Sequence, residues 1–239
     1  RTALLQAMST TRVWNDAIAD EVTRKEDAVD HYEDVLGTYL VKLSAKHLSQ
    51  DDNRTVNTLL HTIGDFERVS DHAVNLIKAA REIRDKSIQF SEEALNDLSV
   101  LEAAVQDIVN RTVDAFQKND VYAAKKIEPL EQVVDGLVRE VKSRHIMRLQ
   151  AGACSIEYGF VLDDLLTNYE RIADHCSNIA VAMIEVSLDR FDTHEYLNAV
   201  KHGEDVKFER RYEKYRDRYT FEPEVYSGTE NAEKAENDA

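Results

Sequence analysis

Glu67-Arg68-Val69-Ser70-Asp71-His72-Ala73-Val74-Asn75 and Glu170-Arg171-Ile172-Ala173-Asp174-His175-Cys176-Ser177-Asn178 carry one pattern, Glu-Arg-x-x-Asp-His-x-x-Asn, repeated 103 residues apart. At 3.6 residues per turn, Glu, Asp and Asn at i, i+4 and i+8 fall along one stripe of a helix. Like charges at i and i+4 repel by roughly 0.2–0.5 kcal/mol on an exposed helix. Two such pairs in matching positions therefore call for a cation, and a metal is the natural candidate.

The repeat extends beyond the signature. Glu26-Asp27-Ala28-Val29-Asp30 matches Glu131-Gln132-Val133-Val134-Asp135 at an offset of 105, so the register slips by two residues in the loop between the helices. Apolar positions also align: Ile63 with Leu166, Phe66 with Tyr169, Val69 with Ile172. Tandem duplication is the economical explanation.

With 7 Gly and 2 Pro among 239 residues and 43% hydrophobic side chains, the chain runs in long uninterrupted elements whose apolar period is helical. A short helix is expected over the first dozen residues. A second covers about 20–46, with Val22, Val29, Tyr32, Leu36, Leu40 and Leu43 as its seam, and a third runs from a cap at Ser49 to about Asp85. Ser91 caps a fourth that ends near Asn119-Asp120; a fifth follows Pro129 and stops at Gly152. The sixth spans about 155–188, with Leu162, Leu166, Tyr169, Ile172, Cys176, Ile179 and Met183 as its seam. The fold class is all-α: a tandem repeat of two three-helix bundles, residues 1–88 and 89–190. A helical extension is expected over 191–225, interrupted at Gly203, and a disordered acidic tail over 226–239.

The formal charge of −16 argues against nucleic acid or anionic lipid as a partner, because both require clustered Lys and Arg. Cations and basic protein surfaces suit it better. Cys154 and Cys176 read as residues of one helix, roughly 33 Å apart at 1.5 Å per residue, beyond disulfide reach. Reduced thiols point to a cytosolic compartment. No apolar run approaches the ~18–20 residues of a membrane-spanning helix. The chain opens at Arg1 inside a helical pattern, so a piece of a longer protein is expected.

Each half offers two acidic pairs at i, i+4: Glu26/Asp30 with Glu67/Asp71, and Glu131/Asp135 with Glu170/Asp174. Carboxylates from neighbouring helices could converge on divalent or trivalent metal ions; Mg, Mn, Fe and Zn all accept such ligands. Asn75 and Asn178, with Arg68 and Arg171, would then stand around the acids and orient a ligand or water. The competing reading is a solvated helix face on which Arg68 pairs with Asp71 and Arg171 with Asp174 for a few tenths of a kcal/mol. Recurrence of the whole pattern favours metal. His72 and His175 lie about 100° round the helix from the Asp stripe and serve equally well as ligands or interhelical hydrogen-bonders. Glu-x-x-His, the mark of ferritin-type di-iron bundles, is absent. So are a glycine-rich phosphate loop and a nucleophile with a base nearby in sequence.

The duplicated signature, with Glu-x-x-x-Asp on the preceding helix, resembles the PhoU family over about residues 1–190. Three stretches are similar to the PhoU-like C-terminal region of sodium-dependent phosphate cotransporters: Leu36-Gly37-Thr38-Tyr39-Leu40-Val41-Lys42-Leu43, His61-Thr62-Ile63-Gly64-Asp65-Phe66-Glu67-Arg68, and Gly159-Phe160-Val161-Leu162-Asp163-Asp164-Leu165-Leu166-Thr167-Asn168. The segment from His194 to Tyr219 is similar too. The resemblance implies a non-enzymatic metal-binding regulator on the cytoplasmic side of the membrane. Its partner is a membrane transport domain of the same or another chain, and a homodimer is a further option. It also implies that Glu67, Asp71, Glu170 and Asp174 take metal-binding positions, with Glu26, Asp30, Glu131 and Asp135 as the matching acids. A stand-alone PhoU-type adaptor for a separate transporter or sensor kinase is the alternative. A metal-dependent hydrolase using the same carboxylates is a third.

Overall fold

Short polar side chains start the helices. Asn15 Oδ1 accepts from the Ile18 N–H (3.1 Å), Ser49 Oγ from Asp52 (3.1 Å) and Ser91 Oγ from Ala94 (3.3 Å), each satisfying a donor that the first helical turn leaves unpaired. The computed structural model describes residues 1–187 and 206–223. They form α1 (Thr2–Thr10), α2 (Asp16–Ser44), α3 (Gln50–Asp85), α4 (Glu92–Gln117), the single turn α5 (Val121–Ala124), α6 (Glu128–Gln150), α7 (Ile156–Ser187) and α8 (Val206–Arg218). The fold is all-α, and the described residues contain no strand. Helices stop where the sequence offers a left-handed position: Asn119 at φ 48° after α4 and Gly152 at φ 69° after α6. None of the described helices is long and apolar enough to cross a membrane.

α1–α3 make one bundle and α4, α6 and α7 the other, with α3 and α7 packed against each other at the centre. The halves share one apolar core running from Leu4 to Phe221, in which Leu101, Ile108, Leu130, Leu165, Tyr169 and Ile172 are fully buried. Burial of each aliphatic side chain of this size contributes about 1.5–3 kcal/mol. Polar ties converge on Glu102 of α4, one from the first half and one from α7. Arg12 Nη2 reaches Glu102 Oε2 at 3.0 Å, and the buried Tyr169 hydroxyl donates to Glu102 Oε1 at 3.0 Å. α8 lies on the second bundle, against α6.

Several elements differ from the sequence reading. On α2, Val22 and Leu40 are buried as expected of a seam, but Tyr32 is 62% and Leu36 45% exposed. Among the described residues α1, nine residues or roughly 14 Å, lies along only one end of α2, which at 29 residues is roughly 43 Å long. α1 meets that end through Gln6, whose side chain contacts Glu21 and Lys25. α5 was not expected; Asp120 Oδ1 caps it by accepting from the Ala123 N–H at 2.9 Å. Cys154 precedes α7 rather than lying on it, with Sγ 3.7 Å from His145 Nδ1. Cys176 is buried on α7 and both thiols are free; burial pushes the Cys176 thiol up to about 12, leaving it an inert core residue. Of the expected extension only 206–223 is described. Gly203 and the acidic tail at 226–239 lie outside the described residues.

Candidate metal centre

In the second half α6 carries Glu131 and Asp135 one turn apart, and α7 carries Glu170 and Asp174 likewise. Packing of α6 on α7 brings one carboxylate oxygen each of Glu131, Asp135 and Asp174 within 4.8 Å of one another. Asp135 Oδ1 is buried and accepts no hydrogen bond among the described residues. A buried, unsatisfied carboxylate oxygen is costly. Burial lifts the Asp135 pKa above its ordinary value and the charges of Asp174 and Glu170 lift it further, with Arg139 opposing. Glu128, buried in the first turn of α6 and bonded by the Ser177 hydroxyl, adds to the same negative field. An all-oxygen donor set of this kind fits a hard cation, and the orphaned Asp135 oxygen is where one would be held.

The first half repeats the arrangement more loosely. Glu26 on α2 is raised by burial and by its hydrogen bond to Asp71, with the charges of Asp71, Asp27 and Asp30 adding. Glu67 on α3 is raised by burial and by the Asp71 charge, against the opposing Arg68. Glu26, Asp30, Glu67 and Asp71 are thus electrostatic neighbours. Among the described residues, however, only the Glu131/Asp135/Asp174 group closes to the 4.8 Å spacing.

The surrounding polar residues are placed differently from the sequence reading. Arg171 Nη1 does donate to Asp174 Oδ2 at 3.1 Å, but Arg68 Nε turns to Glu67 Oε2 at 3.7 Å rather than to Asp71. Among the described residues the asparagines turn to other partners: Asn75 Oδ1 accepts from Lys78 Nζ at 3.0 Å, and Asn178 Nδ2 donates to Asp65 Oδ1 at 3.2 Å. An i, i+8 spacing drifts about 80° round a helix, enough to turn the asparagine away from the first carboxylate.

The histidines join the halves. His72 Nδ1 lies 2.8 Å from Asn168 Oδ1, His175 Nδ1 lies 2.9 Å from Asp65 Oδ1, and the two rings sit 5.6 Å apart. Because Asn168 Nδ2 donates to the Asp164 carbonyl at 2.7 Å, its Oδ1 faces the imidazole and His72 Nδ1–H is the donor. Burial holds the His72 pKa below its ordinary value. Asp65 and Asn168 are themselves 103 residues apart, so α3 and α7 make the same contact with roles exchanged, an approximate two-fold between the repeats. The signal was present in the sequence: each of these residues stands seven positions before its histidine.

A pH dependence follows. An acid whose folded pKa is raised contributes stability that is complete below its unfolded pKa and is lost as pH rises through the folded value. Asp135→Asn removes that loss. In metal-free protein at pH 7 it is expected to raise stability by a few tenths of a kcal/mol for each like-charge contact relieved. The gain should shrink as pH falls and vanish below about 4. Thermal melts of both proteins across pH 4–7 check this; a gain independent of pH would refute it.

Comparisons with known proteins agree with this architecture. The PhoU domain model matches residues 2–80 and 98–183, one stretch in each half. The phosphate-specific transport system accessory protein PhoU homolog 1 of Thermotoga maritima is 22% identical over 204 residues, covering 84% of this chain and 86% of that protein. The corresponding Aquifex aeolicus homolog is 24% identical over 188 residues, covering 77% and 82%. Among solved structures, PhoU from Pseudomonas aeruginosa superposes with a TM-score of 0.72 at 20% identity, over 79% of this chain and 90% of that one. The phosphate transport system regulatory protein PhoU from Streptococcus pneumoniae gives 0.67 at 19% identity, over the same shares. With both repeats matched and the duplicated acidic signature on the last helix of each, α3 and α7, the chain belongs to the PhoU family.

Proposed function

We propose that this protein is a non-enzymatic accessory regulator of a phosphate transport system, acting at the cytoplasmic face of the membrane through a bundle surface set by metal bound between its helices. The observation that carries the metal part is the Glu131/Asp135/Asp174 group with its orphaned buried oxygen. The regulatory part is supported by relatives named as phosphate-specific transport accessory proteins. Glu131, Asp135, Glu170 and Asp174 would hold one centre; Glu26, Asp30, Glu67 and Asp71 would hold its counterpart. A bound cation supplies positive charge that offsets the carboxylate repulsion, so occupancy is coupled to how α2 packs on α3 and α6 on α7.

A second reading, the cytoplasmic region of a sodium/phosphate cotransporter, is motivated by the three stretches quoted above. The matched relatives favour the separate adaptor, since the alignment covers 86% and 82% of their own lengths.

The test is elemental analysis of protein purified without a metal-affinity step, comparing the parent with Asp71→Asn/Asp174→Asn. Metal bound by the parent and lost from the variant is the expected result. A folded, metal-free parent would reduce the acidic clusters to a solvated or docking surface.

A further inference from the structure

The symmetric contact between α3 and α7 uses one nitrogen of each imidazole. His72 Nδ1 donates to Asn168 Oδ1, and Asp65, which as a carboxylate can only accept, makes His175 Nδ1 a donor as well. In the neutral ring a hydrogen on Nδ1 leaves a lone pair on Nε2, and among the described residues neither Nε2 has a hydrogen-bond partner. A glutamine would serve the interhelical bond alone. The second nitrogen is what an imidazole adds, and the repeat supplies it twice at one place. The His175 side chain keeps 19% of its surface exposed, so the pair is open to solvent.

Histidines that bind metal characteristically donate the other ring N–H to a carboxylate or carbonyl oxygen, which fixes the tautomer and raises the basicity of the ligating nitrogen. Asp65 stands in that relation to His175, and Asn168 to His72. The ring centres are 5.6 Å apart and the planes tilted by 32°. A tetrahedral ion ~2.1 Å from Nε2 of two imidazoles holds their centres roughly 5 Å apart, so closing on one ion asks for a movement of about half an ångström. The field of Asp71 reaches His72, and Asp65 borders His175; Arg171, the opposing cation, is held by Asp174 at 3.1 Å. The histidines lie about 100° round their helices from the acid stripe, so they do not draw on the carboxylates of the two proposed centres. Imidazole nitrogens suit Zn, Cu and Ni rather than the hard cations that an all-oxygen set favours. Among the described residues no third His, Cys, Asp or Glu ligand atom closes on the pair within 4.8 Å, which leaves the other positions to water. We propose that Nε2 of His72 and Nε2 of His175 bind one transition cation of the Zn class across the repeat interface, tying α3 to α7.

The test is long-range 1H–15N NMR of the full chain with 15N-labelled histidine, freed of metal by a chelator and titrated with Zn salt at about pH 7.5, where an ordinary imidazole is neutral. His72→Gln and His175→Gln assign the two rings. Without metal both rings should carry hydrogen on Nδ1 and none on Nε2. Zn should then move the two Nε2 signals together and leave both Nδ1–H groups in place. Either glutamine variant should weaken Zn binding at the remaining ring about tenfold or more, because one imidazole no longer chelates. Circular dichroism checks the fold of the variants. If they are perturbed, electron spin-echo spectroscopy of the Cu-loaded parent decides, since these are the one pair of histidine rings in contact among the described residues: two imidazole nitrogens on one ion are expected. Zn that moves neither Nε2, or only one, overturns the proposal, as does Cu with fewer than two imidazoles. Hydrogen on Nε2 in the metal-free protein overturns it too, and the pair is then a hydrogen-bonded clasp alone. Metal taken up by the carboxylates alone leaves Nε2 unligated, so this site and the carboxylate centres fail separately.

Discussion

Asp97→Ala is expected to destabilise the protein by about 3–5 kcal/mol, the usual result of removing one partner from a buried ion pair. Asp97 lies on α4 with its side chain 4% exposed; its Oδ2 accepts from Arg148 Nη1 at 2.8 Å and its Oδ1 from Arg144 Nη1 at 3.2 Å. Both arginines belong to α6, and the Arg148 side chain is 3% exposed. Alanine removes their shared carboxylate and leaves guanidinium charge in a place where water cannot fully replace it. Arg144 keeps Glu140, at 3.0 Å, which limits its share of the cost. For a chain of this size such a loss lowers Tm on the order of 10 °C. Asp97→Asn, which keeps the volume and one acceptor, should cost less. Asp97→Leu/Arg148→Met should recover most of the loss, because an apolar pair of similar size often replaces a buried ion pair at little cost. Urea denaturation of the three variants gives the comparison; a loss under about 1 kcal/mol in Asp97→Ala would show that Arg148 is solvated in spite of its burial.

That ion pair was invisible in the sequence, and the reason is general. Periodicity reports which side chains are apolar along one helix, so the α7 seam from Leu162 to Met183 was legible and is buried throughout. It does not report which charged residues from helices 51 positions apart will meet, as Asp97 and Arg148 do. Nor does it give the length of the helix that will cover a seam. Tyr32 and Leu36 continue the apolar pattern of α2, yet they are exposed among the described residues. α5 is four residues long, too short to show a period. The acidic pairs were legible because duplication printed them twice. The orphaned Asp135 oxygen, the buried Glu128 and the turning away of Asn75 and Asn178 depend on packing between helices, which spacing along one helix does not encode.

The proposed metal centre makes a prediction whose sign separates it from a merely acidic surface. A cation that binds the folded state alone stabilises it by about 2.7 kcal/mol at a hundredfold excess over Kd. In a chain of this length that raises Tm by about 5–10 °C. Chelator-treated protein titrated with Mn, Zn, Fe or Mg salts should therefore melt progressively higher, and the chelator should reverse the gain. Asp135→Asn is the decisive variant because its two effects oppose each other. Without metal it relieves repulsion from Asp174 and Glu170 and removes a buried charge, so it should melt slightly higher than the parent at pH 7. With metal it lacks the orphaned anionic oxygen and should lose most of the rise contributed by the second-half centre. The melting curves of parent and variant should thus exchange order as metal is added. A surface cluster that merely attracts counterions would give parallel, salt-like increments in both proteins and no exchange. If the order never changes, the carboxylates of α6 and α7 are not a metal centre, and their convergence marks a docking surface for basic groups.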